Sequence, residues 1–97
     1  MPIDLKTLNR FKQSTYIVPG LSTNLWVIKV DGLIIRVNSG KSTWRGIGHA
    51  KSALRNHLHS KWFTLFPDAD PHDAYDLCDK LYKQLIDEGI VIFEQLQ

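Results

Sequence analysis

The sequence predicts an α+β fold: a small antiparallel sheet built on a β-hairpin and a C-terminal strand, with two or three helices packed on one face. Three observations carry this. Asp31-Gly32 separates two apolar, β-branched runs, Asn24 to Val30 and Leu33 to Asn38. That dipeptide suits a type I′ turn, whose central residues both need positive φ. Asp70-Pro71 opens a stretch where Ala74, Leu77, Cys78, Leu81, Tyr82, Leu85 and Ile86 recur at helical spacing. Finally, 97 residues with 43% hydrophobic and 23% charged content make one domain, 1–97, able to bury a modest core without disulfides or metal.

In chain order, Asp4 is a candidate N-cap for a short helix whose Leu5, Leu8 and Phe11 face the core. Ser14 to Val18 is β-prone and ends at Pro19-Gly20, a turn signal. The hairpin follows, with Lys29 and Arg36 as the polar interruptions that let one face of each strand reach water. Ser39 to Gly46 is a turn-rich loop leading into a helix from Ile47 to His59. At 100° per residue Ile47, Ala50, Leu54 and Leu58 share a face, with Ala53 and His57 at its edge; His49, Ser52, Arg55, Asn56 and His59 lie opposite, with Lys51 on the flank. Lys61 to Phe66 is too short to classify and fits a helical turn, a strand or a bridge across the core. Asp70 as N-cap, Pro71 at the first helical position and Asp73 in the first turn begin the last helix, which Gly89 ends as an αL cap. Ile90 to Phe93 then reads as a strand joining the hairpin sheet.

Single Cys78 cannot form an internal disulfide, and no charged segment followed by an apolar run marks a signal peptide, so a reducing cytoplasm is expected. The longest apolar runs fall far short of the roughly 20 residues that cross a bilayer. Net charge is only +2, but it is sorted along the chain. Residues 1–31 carry +2. Residues 32–67 hold Arg36, Lys41, Arg45, Lys51, Arg55 and Lys61 with no acid, giving +6, and residues 68–97 set eight acids against Lys80 and Lys83, giving −6.

Catalytic and metal constellations are poorly supported. Gly40-Lys-Ser-Thr43 matches the end of a phosphate-binding G-x-x-x-x-G-K-[ST] loop, but the earlier glycine would be residue 35, which is isoleucine. His57 and His59 point about 200° apart on a helix, and His49 and His57 lie about 12 Å apart along it, so no pair grips one ion. Cys78 sits on an apolar helix face, as a small core residue does. Asp73, Asp76, Asp79, Asp87 and Glu88 resemble a solvated face. No catalytic residue, metal or cofactor is expected.

The acid-free middle points instead to binding. Clustered cations reward contact with phosphate backbones through counterion release, and a Gly-rich loop opening a helix offers N–H groups to anions. The expected nucleic-acid contacts, with DNA favoured, are Arg36, Lys41, Ser42, Thr43, Trp44, Arg45, Lys51, Arg55, His59 and Lys61, with Trp44 and Trp62 as the aromatics available for base stacking. The competing reading pairs these cations with the acidic last helix. A protein-interaction module is the alternative function: it would meet a partner through Trp62, Phe63 and Phe66 or through the charged faces, whose opposite signs also suit self-association.

The run Val30-Asp-Gly-Leu-Ile-Ile-Arg-Val, then Gly40-Lys-Ser-Thr-Trp44 and Gly48-His-Ala-Lys-Ser-Ala-Leu54, resembles the hairpin, loop and helix of small accessory proteins from tailed bacteriophages. The resemblance covers less than half the chain. It implies a host-takeover role on DNA or on a host protein, as an inhibitor or adaptor, and assigns no individual residue.

Overall fold

A computed structural model describes residues 3–17, 25–38 and 40–96. The chain runs α1 (Leu5–Gln13), β1 (Tyr16–Ile17), β2 (Trp26–Val30), β3 (Leu33–Arg36), α2 (Ile47–Ser60), α3 (Trp62–Leu65), α4 (Pro71–Asp87) and β4 (Val91–Gln95). The strands form one antiparallel sheet in the order β1-β3-β2-β4. This is the α+β class that the sequence predicts. The expected Pro19-Gly20 turn and Asn24, at the start of the hairpin run, fall outside the described residues.

Asp31 (φ 55°) and Gly32 (φ 77°) form the two-residue hairpin loop, closing Val30 onto Leu33. Alternation then sorts the sheet into two faces. Ile28, Val30, Ile35, Val37 and Val91 join Phe11, Leu54, Leu58, Leu65, Leu81 and Leu85 in the buried core, which places the helices on that face. Lys29, Arg36, Ile92 and Glu94 lie on the other, where Lys29 and Glu94 form an ion pair across β2 and β4.

β3 ends earlier than the β-prone run to Asn38 suggests, because the chain turns. The Val37 N–H bonds to the Lys41 carbonyl (3.2 Å), and the Gly40 N–H to the Val37 carbonyl (2.8 Å), with Gly40 at φ 81°. The returning chain brings Trp44 beside Trp26, and the two exchange both backbone hydrogen bonds at 2.7 and 2.9 Å. Trp44 thus takes the place next to β2 that a longer β3 would fill.

The helix boundaries follow their capping residues. Asp4 accepts from the Thr7 N–H, and Asp70 from the His72 N–H at 2.9 Å. At the end of α4, the Gly89 N–H reaches the Ile86 carbonyl and the Ile90 N–H the Leu85 carbonyl, the paired bonds of a Schellman cap, with Gly89 at φ 70°. Lys61 to Phe66 resolves as the helical turn α3. Leu5, expected to face the core, is 69% exposed, because six residues at 100° set it about 120° around α1 from Phe11; Thr7, Leu8 and Phe11 form the packed face. Ile47, in the first turn of α2, is likewise exposed. Among the described residues, no helix is long and apolar enough to cross a membrane.

Candidate nucleic-acid interface

Folding divides the cations of residues 36–61 into five groups, Lys51 standing alone. Arg36 projects from the sheet face opposite the helices, its guanidinium 5.3 Å from the Tyr16 ring centre. Arg55 is held by α4: its Nε and Nη2 donate to the two carboxylate oxygens of Asp79 at 2.9 and 3.2 Å. His59 also donates to Asp79, at 2.7 Å, and stacks on Tyr75 with centroids 4.7 Å apart. These bonds hold the Asp79 carboxyl below its usual range and raise the Arg55 guanidinium. Arg55 and His59, placed by sequence in the phosphate-contacting set, are therefore already engaged by an acid of the last helix. Lys61 caps the far end of α2, about 20 Å along the axis from its first turn.

The fourth group converges. Lys41, Arg45 and His49 surround a surface hollow of about 300 Å³ floored by Trp44. All three are exposed, while Trp44 retains only 4% of its surface. Among the described residues no Asp or Glu lines the hollow. Trp44 cannot serve as the stacking platform expected from sequence, because its ring is built into the core and its backbone into the sheet; it fixes where its charged neighbours stand. Ser42 and Thr43 lie half-buried on the same loop without lining the hollow.

The hollow also lies at the start of α2. Gly46 is the N-cap and contributes no side-chain hydrogen bond, so among the described residues no side chain caps the first turn, and the positive helix end adds to the cations. Two features distinguish Gly40-Lys-Ser-Thr43 from a phosphate-binding loop in the strict sense: Trp44 enters the sheet, and the helix begins only at Ile47. Lys51, about 200° around α2 from His49, is exposed on the flank over β4, its ammonium 5.9 Å from the Phe93 ring centre.

His57, read from sequence as an edge residue, is a buried junction with 1% of its surface exposed. Nδ1 accepts the Asn38 N–H at 2.8 Å, and Nε2 lies 3.0 Å from Ser14 Oγ, which itself donates to the Phe11 carbonyl at 2.6 Å. Only one proton arrangement satisfies every group: Nε2 carries the hydrogen and donates to Ser14. The ring thereby joins α1, the end of β3 and α2. Burial, with the Lys61 charge adding to it, lowers its pKa to about 4, so it is neutral at pH 7. Ser14 and His57 sit at nucleophile-base distance, yet the ring nitrogen facing Ser14 is already protonated, which is the wrong tautomer for a general base.

Beside His57, a second hollow of about 220 Å³ is lined by Val37, Asn38, Ala53, Asn56, His57 and Ser60. Cys78 is fully buried; its thiol donates to the Leu58 carbonyl at 3.3 Å, and burial pushes its pKa up to about 11. No cluster of three or more His, Cys, Asp or Glu suited to a metal ion occurs among the described residues. Of the aromatic trio proposed to meet a partner, Trp62 and Phe66 are half-buried against the core, and Phe63 alone is largely exposed, at 59%. Trp62 meets the edge of Phe63 with centroids 6.0 Å apart. No family model, curated protein or solved structure matches the chain.

Proposed function

We propose that the protein is a non-enzymatic nucleic-acid-binding domain, with DNA the favoured ligand, whose phosphate contacts centre on the loop from residue 40 to 46 and the first two turns of α2. The observation that supports this reading is the acid-free hollow in which Lys41, Arg45 and His49 converge at an uncapped helix start. A phosphate seated there meets two permanent cations, a histidine N–H and the positive helix end, and releases condensed counterions from its strand. Lys51 lies on the other flank of α2, towards β4, and adds to the surrounding positive field rather than to the contacts. Arg55 and His59 contribute little while Asp79 holds them, and Arg36 faces another direction. A host-takeover role of the kind the phage resemblance implies, in a reducing cytoplasm, would be exercised through this same surface.

The test is a fluorescence-anisotropy titration of a labelled oligonucleotide at several salt concentrations. With two or three cations in contact, the plot of log K against log salt is expected to fall with a slope of about −2 to −3. The double variant Lys41→Glu/Arg45→Glu is expected to abolish binding, whereas Arg36→Glu on the opposite sheet face leaves it nearly intact. Equal loss from both variants would mean that only net charge matters and would overturn the assigned site.

A further inference from the structure

The two hollows lie along one side of α2. At 100° per residue His49, Ala53, Asn56 and Ser60 fall within about 60° of arc, and the loop that carries Asn38, Lys41 and Arg45 runs beside them. The chemistry changes along this stripe. Its N-terminal end presents the cations Lys41 and Arg45; its other end, about 10 Å further along the axis, presents the side-chain amides of Asn38 and Asn56 and the Ser60 hydroxyl. Cations fix a strand by its phosphates and carry no sequence information, whereas a carboxamide can match the donor and acceptor edge of a base.

We infer that the amide-lined hollow is a base-reading subsite for an unpaired adenine, held next to a phosphate seated at Lys41 and Arg45. The inference rests on the nucleic-acid reading above and specifies its ligand. A carboxamide offers one donor and one acceptor side by side, and an unpaired adenine presents the matching pair on two edges, N6 with N7 and N6 with N1, one for each asparagine, whereas cytosine presents it only at N4 with N3 and thymine has the single donor N3–H. The subsite is concave, so it receives a base turned out of a single strand more readily than the stacked edge of a duplex. It is also pre-formed. The His57 Nδ1 bond to the Asn38 N–H fixes the backbone of one reading residue, and Asn56 stands on the adjoining helix, so little order has to be gained on binding.

Anisotropy titrations with fluorescein-labelled dA20, dT20 and dC20 test this, using the full chain and the variants Asn56→Ala and Asn38→Ala. Both asparagines are exposed, and a thermal melt checks that each variant stays folded. The wild type is expected to bind dA20 at least about fivefold more tightly than the pyrimidine strands. Each variant is expected to bring that ratio towards one while keeping the salt slope. A wild-type ratio near one, or a preference that survives Asn56→Ala, overturns the adenine subsite and leaves phosphate binding standing. If no strand binds even at low salt, the parent reading falls and this one with it.

Discussion

Protonation of His57 should unfasten three elements at once, and its cost can be worked from the geometry. In the folded chain Nδ1 faces the Asn38 N–H and Nε2–H faces Ser14, so an added proton at Nδ1 would set two donors against each other. The ring titrates near 4 when folded, against about 6.5 in an unfolded chain. Above pH 6.5 neither state is protonated and the junction contributes in full. As pH falls from 6.5 to 4, the unfolded chain binds a proton that the folded chain refuses, and stability declines until both are protonated. A difference of about 2.5 pH units corresponds to a loss of about 3 kcal/mol. Urea denaturation between pH 7.5 and 4 measures it, with His57→Gln as the reference, since glutamine can keep hydrogen-bonding groups there but does not titrate. The wild-type curve minus the variant curve should fall with decreasing pH by about that amount. A flat difference would refute the buried, neutral junction.

Two further outcomes follow from particular contacts. Asp79→Asn removes the charge that holds Arg55 and His59, so oligonucleotide binding should tighten at low salt and the salt slope should steepen by about one; unchanged binding would place Arg55 outside reach of the ligand. Cys78 should be inert to a thiol reagent in the native state and react only at the rate of unfolding, because it is buried and its pKa is raised to about 11; rapid native labelling would contradict that placement.

What could be read from sequence was whatever is set by neighbours in the chain. Asp31-Gly32 declares positive φ at two successive positions, Asp70-Pro71 a helix start, and Gly89 a helix end, and each needs only local backbone geometry. The contacts that shape the candidate site are not local. His57 draws its partners from residues 43 and 19 positions away, and Asp79 reaches Arg55 and His59 across 24 and 20. Nothing in the pattern of α2 distinguishes Arg55, which is paired with Asp79, from Lys51, which meets no acid among the described residues, because both lie outside the apolar face of the same helix. Trp44 misled for a related reason: a tryptophan in a Gly/Ser loop resembles an exposed stacking group until the strand it pairs with is known. The one available hint at His57 was its position at the margin of the apolar face.

Where a nucleic-acid strand touches the protein is read directly by an amide chemical-shift map, made while titrating a short single-stranded oligonucleotide into ¹⁵N-labelled protein. The largest shifts are expected at Lys41, Arg45, Ile47, Gly48 and His49, extending to Asn38 and Asn56. Shifts gathered on α4 or on the Arg36 face of the sheet, or no shifts at all, would contradict the assigned interface.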